Sequence, residues 1–379
     1  EKDDLVAFDY EATINNKSFE KEWLNGFRAK KEHKGIDVTI LEKMVHALSL
    51  LEHLKVSGLD FVFKGGTSLV LLLKEGNRFS IDIDIISSVE RDKLEEILDA
   101  VVANSHFKKH VLNEHRSYKE GVPKAHYTFE FESVYNPNVP GTILLDILFD
   151  SPHYPELIES PIETPWLSID GTATTITTPS VNAICGDKLT AFAPDTIGIP
   201  YYKGDQLFAM EICKQLFDLG KLFENITDVA MVKKSFSAFA KAELSYRSTD
   251  KDFSKRKLNE KDVLWDSINT CAIMARRERN PTAEKKKKFA DLSSGIRSFG
   301  SAFLMTGNFR IEEALAASAK VAYLNAIILQ KEDVEIEYYE NQDTKELVIK
   351  NPDWAFLNRL KRQPDKSIFY YWYKAVELL

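Results

Sequence analysis

The chain has 379 residues, of which 44% are apolar and 28% are charged. This composition excludes a largely disordered protein, and the length predicts two domains. The 50 basic and 58 acidic residues give a formal net charge of −8, which argues against a protein that coats nucleic acid non-specifically. Three widely spaced cysteines fit neither a disulfide framework nor a thiolate zinc site.

The sequence also argues against a membrane protein. No apolar run approaches the roughly 20 residues that a membrane span needs, and no signal-peptide pattern is visible. We therefore expect a cytoplasmic protein.

The amino-terminal part of the chain predicts helices. Residues 1–35 are highly charged and carry an apolar stripe at a spacing of four, so we expect a helical extension there. A stronger amphipathic helix is predicted over 37–56, with Asp37 as its N-cap. Residues 91–104 also have a helical pattern.

A glycine turn follows the first predicted strand. The apolar run 61–63 predicts a buried strand, which Gly65 and Gly66 interrupt before Thr67 and Ser68 begin a helix. Backbone N–H groups and hydroxyls at such a helix N-terminus form an anion site. The spacing is not that of a Walker A loop. Simple helix capping by the two hydroxyls is the alternative interpretation.

The next segment carries two closely spaced carboxylates. Residues 79–86 alternate between apolar and polar, which predicts a strand with Asp82 and Asp84 on one face. Two such carboxylates repel each other unless a cation lies between them, and Mg²⁺ accepts an incomplete protein cage when phosphates supply the other ligands. The alternative is a strand whose acidic face lies in solvent.

A third acid occurs in a later strand. Strands are predicted over 125–134 and 142–149, and the second holds a single acid, Asp146, in an apolar run. A charge in such a strand is costly unless it is paired or bound to metal. We therefore predict that Asp146 joins Asp82 and Asp84 as a metal ligand. Pairing with a basic neighbour is the alternative.

The second half of the chain differs in character. Residues 151–180 are rich in Pro, Ser and Thr, which predicts an irregular connection with a short strand near its end, and the pattern is mostly helical from Ser180 onward. We predict an α/β fold, with a small mixed sheet and flanking helices over 36–180 and a mostly helical C-terminal domain over 181–379.

Four motifs occur in an order that resembles the AbiEii/AbiGii-type nucleotidyltransferase toxins, a family of the DNA polymerase β-like nucleotidyltransferase superfamily. The motifs are KGGTSL at 64–69, RFSIDID at 78–84, DKLTA at 187–191 and KQLFDL at 214–219. The resemblance implies a polymerase-β-like nucleotidyltransferase core over 36–180.

The resemblance also implies roles for individual residues. Asp82 and Asp84 are the expected catalytic metal ligands, Lys188 is expected to help bind the nucleotide, and Asp218 is expected to be a further functional acid. A surface lysine is the alternative for Lys188. An ion pair with Lys214, one helical turn earlier, is the alternative for Asp218.

Further residues are expected to contact the nucleotide. The predicted nucleotide-binding residues are Gly65, Gly66, Thr67, Ser68, Arg78 and Lys188. For Arg78, holding a phosphate, steadying the site and pairing with an aspartate all remain open.

Family members use a nucleoside triphosphate and Mg²⁺ (or Mn²⁺), and some add nucleotides to the tRNA 3′ end. They act as toxins in toxin–antitoxin or abortive-infection systems that defend against phage, with a separately encoded antitoxin. The resemblance implies these properties for this chain. Two alternatives stay open: transfer to a hydroxyl of a small molecule or protein, and a non-catalytic nucleotide-binding protein.

A basic stretch over 276–297 has two interpretations. Such a run is usually a solvated face, but it could also contact an RNA backbone. The aromatic residues over 354–373 could likewise stack on unpaired bases or pack in the core.

Overall fold

The computed structural model describes residues 11–33, 35–73, 78–118 and 123–379. These residues divide into two compact units. The first contains the described residues up to Pro152 together with Ile158–Thr178, and the second contains His153–Leu157 and Pro179–Leu379. The proposed division at 35/36 and 180/181 stays a prediction.

The first unit is built on a mixed sheet with helices. Its elements are, in chain order, α1 (Lys21–Arg28), α2 (Val38–Val56), β1 (Val62–Lys64), α3 (Gly65–Leu72), β2 (Ile83–Ile86), α4 (Arg91–Ala103), β3 (Lys109–Leu112), β4 (Lys124–Phe131), β5 (Gly141–Leu148), β6 (Leu157–Pro161) and β7 (Thr175–Pro179). Short 3-10 helices cover Asn16–Phe19 and Lys31–His33. The strand order in the sheet is β3-β4-β5-β2-β1-β7-β6.

Strand β2 lies in the middle of this sheet. It pairs antiparallel with β1 and parallel with β5, while β4 pairs antiparallel with β5. The predicted small mixed sheet with flanking helices is therefore confirmed. Successive side chains of a strand point to opposite faces of the sheet. Alternate residues of β4 are accordingly buried, and the others are half-buried or exposed.

Several predicted elements are confirmed with shifts at their ends. Helix α2 begins after Asp37, whose carboxylate accepts hydrogen bonds from Thr39 N and Ile40 N. Helix α4 and strands β4 and β5 also lie where the pattern predicts them. The connection over 151–180 contains two strands, β6 and β7, where one was predicted.

The strand predicted over 79–86 is wrong in its first half. Only Ile83–Ile86 form β2, and Asp82 lies just before it. The reason is a side-chain bond to α3: the Thr67 hydroxyl lies 2.5 Å from the carbonyl oxygen of Asp82 and 2.7 Å from the Ser80 hydroxyl. This segment thus satisfies its polar groups outside the strand ladder.

A buried carboxylate of α2 holds the amino-terminal segment of the first unit. Glu52 is fully buried. It accepts hydrogen bonds from Thr13 N at 2.7 Å, Thr13 Oγ1 at 2.6 Å, Ile14 N at 3.0 Å and Thr174 Oγ1 at 2.7 Å. Burying a charge is tolerated here because its oxygens are fully hydrogen-bonded.

The second unit is mostly helical, as predicted. Its elements are α5 (Val181–Ala191), β8 (Tyr202–Lys203), β9 (Gln206–Leu207), α6 (Ala209–Phe223), α7 (Val229–Arg247), α8 (Lys251–Ser254), α9 (Glu260–Arg276), α10 (Ala283–Ala302), α11 (Ile311–Leu329) and α12 (Ser367–Leu378). Short 3-10 helices cover Arg277–Arg279 and Ala355–Arg362. None of the helices among the described residues is long and apolar enough to span a membrane.

Glycine allows α5 and α7 to approach closely. A Cβ on Gly186 would lie 2.5 Å from the backbone nitrogen of Phe236 and from the carbonyl oxygen of Val232. Any larger residue would therefore push the two helices apart. This contact helps to fix α5, the helix that carries Lys188.

Candidate active site

The turn between β1 and α3 places the backbone beside an acid. Gly65 has φ of +79°, a left-handed conformation that glycine adopts without strain. A Cβ at Gly65 would collide with the carboxylate of Asp84, and a Cβ at Gly66 would collide with the guanidinium of Arg78. Glycine is therefore needed at Gly65, whereas a side chain at Gly66 would displace the end of the Arg78 side chain.

The hydroxyls after the two glycines stabilise this turn. Ser68 is fully buried and donates a 2.8 Å hydrogen bond to the carbonyl oxygen of Gly65. Thr67 is 1% exposed and holds the segment before β2, as described above. Lys64, at the N-cap position, makes no side-chain hydrogen bond to the first turn of α3. These hydroxyls are therefore used within the fold, and an anion at the turn would rely on backbone N–H groups.

Polar side chains form a row across four strands. The pairing register aligns Lys64 with Asp84, Asp84 with Asp146, and Asp146 with His126. Directly paired residues place their side chains on the same face with Cβ atoms about 5 Å apart. All four residues are half-buried. Two carboxylates thus lie next to each other, flanked by a lysine on one side and a histidine on the other.

His126 is the residue that sequence reasoning missed. Its Nδ1 donates to Asp146 Oδ1 at 2.6 Å, and the two side chains are 16% and 32% exposed. The pattern of β4 does show His126 on the face opposite the buried Tyr127. Its pairing with Asp146 depends on the strand register, which the pattern alone does not determine.

The predicted metal ligands Asp82 and Asp84 differ in their solvent exposure and in their position relative to β2. Asp84 lies in β2 and is half-buried, whereas Asp82 precedes β2 and is exposed. Carboxylate oxygens suit a hard cation such as Mg²⁺. The backbone of Gly65 packs closely against the carboxylate of Asp84. In the described part of the chain, no group of three or more His, Cys, Asp or Glu residues is arranged to hold a metal ion. The metal site stays a prediction.

The later motifs meet in the second unit. Lys188 Nζ lies 2.8 Å from Asp218 Oδ2 and 3.1 Å from Gln215 Oε1. Lys188 is 5% exposed and Asp218 is 2% exposed. This burial excludes the surface-lysine interpretation of Lys188.

The neighbours of this ion pair are also engaged. Tyr154 donates a short hydrogen bond from its hydroxyl to Asp187 Oδ2. The Lys214 ammonium lies 4.0 Å from the ring centre of Phe303. The predicted site residues therefore form two groups, one around Asp84 in the first unit and one around Lys188 in the second. The first ten residues of the helical extension predicted over 1–35 lie outside the described residues.

A comparison with protein-family models agrees with these motifs. A family model for the nucleotidyltransferase AbiEii toxin of type IV toxin–antitoxin systems matches residues 49–302, more than half of the chain. No curated protein matches the chain. The chain is also similar to a crystal structure of an H. pylori protein that is assigned by inference as a nucleotidyltransferase. The two chains share 17% sequence identity, and the TM-score between them is 0.32. The match covers 68% of this chain and 92% of that one.

Proposed function

The chain belongs to the AbiEii family of nucleotidyltransferase toxins, and we propose that it transfers a nucleoside monophosphate from a nucleoside triphosphate to the 3′ end of tRNA. The family belongs to type IV toxin–antitoxin systems, and membership implies a nucleotide substrate and an antitoxin partner. We further propose that the reaction depends on Mg²⁺ and serves phage defence by abortive infection in the cytoplasm.

The observation that carries this proposal is the packing of Gly65 against Asp84. It brings the N-terminal turn of α3, which suits phosphate, next to a carboxylate, which suits a metal ion. In the proposed reaction, the acceptor hydroxyl oxygen bonds to the α-phosphorus and the bond to pyrophosphate breaks. The backbone of the turn and the Arg78 guanidinium would hold the phosphates.

The acids of the first unit would hold the metal. Asp82 and Asp84 are the proposed ligands, with Asp146 as a third. A bound divalent cation supplies charge stabilisation to the phosphoryl group and lowers the pKa of a coordinated hydroxyl. His126 would keep the Asp146 carboxylate oriented through its 2.6 Å hydrogen bond.

We assign nucleotide binding to Lys188 and a positioning role to Asp218. The buried ion pair fixes the Lys188 ammonium to one place, and Gln215 accepts a second hydrogen bond from it. A lysine that is already oriented loses less conformational entropy when it binds an anion.

The acceptor can be tested directly. The protein is incubated with each labelled nucleoside triphosphate, Mg²⁺ and total tRNA, and in parallel with a protein extract and a metabolite mixture. We expect label in tRNA with the unaltered protein. Asp84→Asn should reduce it by about 10³-fold, because an effect of several kcal/mol on the transition state is lost.

A matched control removes a carboxylate elsewhere in the same unit. Asp99 on α4 is exposed, and Asp99→Asn should label tRNA as well as the unaltered protein does. Label only in metabolites or proteins would exclude the tRNA acceptor. Equal growth inhibition in cells by Asp84→Asn and the unaltered protein would contradict the catalytic function itself.

A further inference from the structure

The second unit contains a surface pocket with aromatic walls. It has a volume of about 300 Å³ and lies between α9, the start of α10 and the segment at 353–356. Its aromatic lining residues are Trp265, Trp354 and Phe356, and its cationic ones are Arg276 and Lys285. We call it the aromatic pocket. It shares no residue with the predicted catalytic set.

One lining residue of the pocket, Arg276, belongs to a set of four arginines, of which one is distant in sequence. Burial and the charges of Arg279, Arg276 and Arg277 lower the pKa of Arg359. We call these four residues the arginine cluster. The Arg359 guanidinium also donates a 2.7 Å hydrogen bond to the carbonyl oxygen of Ala275. Guanidinium groups repel one another, and an anion beside them relieves the repulsion. Glu278 lies 3.9 Å from Arg277, and its charge opposes the effect of the arginines on the pKa of Arg359.

The basic stretch divides into paired and unpaired cations. Lys287 lies 3.0 Å from Asp291, and Lys288 lies 2.8 Å from Asp195, so both are neutralised within the fold. In the described part of the chain, no carboxylate oxygen lies within 4.0 Å of a charged nitrogen of Arg276 or Lys285, the two cations of the pocket. The lining of the aromatic pocket thus carries two cations, Arg276 and Lys285, and one acid, Asp353.

The aromatic walls offer a stacking surface. The Arg276 guanidinium lies 3.4 Å from the ring centre of Phe356, an arrangement that fixes its plane. Trp265 is 37% exposed, which is high for a large apolar side chain. Flat aromatic and guanidinium surfaces beside cationic side chains are the features on which unpaired bases stack while phosphates bind.

The turn that carries Arg276, Arg277 and Arg279 is stabilised by side-chain hydrogen bonds. Arg277 has φ of +53°, a conformation that few non-glycine residues adopt. Asn280 stabilises it, because its Nδ2 donates to Ile273 O at 2.9 Å and to Arg277 O at 2.6 Å. Asn280 lines the pocket and is 1% exposed, and its Oδ1 has no hydrogen-bond partner among the described residues. Strained backbone and an unsatisfied buried acceptor often occur where a ligand binds.

We propose that the aromatic pocket binds a segment of single-stranded RNA, with a phosphate on the arginine cluster and an unstacked base against Trp265. The proposal rests on the proposed function in that it takes RNA as the acceptor. It adds a binding site within the second unit that acts before any chemistry. A free mononucleotide offers the same phosphate and base, so the test separates the two.

The test measures binding without nucleoside triphosphate or Mg²⁺. Fluorescence anisotropy reports the Kd of the full chain for a labelled 12-nucleotide single-stranded RNA at several salt concentrations. Trp265→Leu should weaken binding by about tenfold, because one base loses its stacking partner. Arg276→Gln/Arg279→Gln should lower the slope of log Kd against log salt by about 1.4, which corresponds to two phosphate contacts on a single strand.

Matched variants control for general effects. Lys261 is an exposed cation on the same helix outside the pocket, and Tyr246 is 48% exposed on α7. Lys261→Gln and Tyr246→Leu should leave Kd unchanged, and circular dichroism should show that all variants are folded. Equal weakening by test and control variants, or an unchanged Kd in Trp265→Leu, would overturn the proposal.

Competition identifies the ligand. Unlabelled RNA should displace the probe, whereas AMP and poly-glutamate should not do so at the same phosphate or carboxylate concentration. Displacement by AMP would replace the RNA site by a mononucleotide site, and displacement by poly-glutamate would indicate an acidic protein partner. This assay contains no nucleoside triphosphate and no Mg²⁺, so it measures RNA binding apart from transfer, and a failed transfer assay and a failed pocket are distinguishable.

Discussion

In the first unit, Asp84 and Asp146 lie side by side on neighbouring strands, whereas in the second unit Asp218 is buried against Lys188. The first arrangement places like charges together in a half-buried setting. The second pairs opposite charges where water hardly reaches. A buried pair of opposite charges satisfies itself, while adjacent carboxylates are stabilised by a further cation. The difference fits the proposed function, in which a metal ion would join the first group, whereas Lys188 already neutralises Asp218 in the second.

The largest effect is expected from breaking the buried pair. Lys188→Met leaves the Asp218 carboxylate buried without its lysine, and we expect the free energy of unfolding to fall by about 3–5 kcal/mol. Thermal unfolding followed by circular dichroism measures this. In Lys188→Met/Asp218→Leu the unfolding temperature should recover while nucleotidyl transfer stays lost. Recovery of both would show that the pair has only a structural role.

A variant of His126 tests the group of carboxylates in the first unit. His126→Ala removes the hydrogen bond that orients Asp146, and we expect the affinity for Mn²⁺ to fall by about tenfold or more, as is usual when a partner of a metal ligand is lost. Electron paramagnetic resonance of free Mn²⁺ measures this without nucleotide. His126→Asn, which keeps a donor, should recover part of the affinity. His110→Ala, which removes a histidine paired with Asp99, is the control and should not change it.

The glycine turn separates backbone strain from collision. Gly65 and Gly58 both have left-handed φ angles, but only a Cβ at Gly65 meets another group, the Asp84 carboxylate. Gly58→Ala should cost about 1 kcal/mol of unfolding free energy, and Gly65→Ala should cost more and also weaken nucleotide binding. Urea unfolding and nucleotide titration measure the two effects. Equal costs and unchanged nucleotide binding would show that the approach to Asp84 is unimportant.

The second unit contains another buried acid, Asp266, which sharpens the comparison because its partners are hydrogen-bond donors and not a lysine. Asp266 accepts hydrogen bonds from Asp195 N and Thr196 Oγ1, and burial raises the pKa of its carboxyl from 3.8 to about 7. Between these values the folded state holds a proton that the unfolded state has released. Stability should therefore fall as pH rises through this window.

Asp266→Asn removes this titration. We expect the unaltered protein to lose about 2 kcal/mol more unfolding free energy between pH 5 and pH 7 than the variant does. Urea unfolding at each pH measures the difference. Parallel pH dependences would mean that Asp266 is ionised throughout this range in the folded protein.

Local patterns predicted much of the fold. The cap at Asp37 and the apolar face behind it were enough to locate α2, and the apolar run around Asp146 located β5. Both features depend on residues that are neighbours in sequence. The same holds for the glycine turn, whose residues lie together in the chain.

Features that depend on distant residues were not predictable. His126 meets Asp146 through strand register, and Arg359 joins Arg276 through helix packing. Asp82 falls outside β2 because the Thr67 hydroxyl bonds to its carbonyl oxygen. Pattern and propensity do not encode such pairings, which arise only when separate elements pack together.

The carboxylate of Glu52 has a consequence for the ends of the first unit. It gathers the backbone of Thr13 and Ile14 and the hydroxyl of Thr174 around one buried negative charge. Proteolytic removal of residues 11–20 would strip away most of these donors and strand an ion in the protein interior. The amino-terminal peptide thus stabilises the first unit. A chain that lacks this peptide should be degraded by cellular proteases.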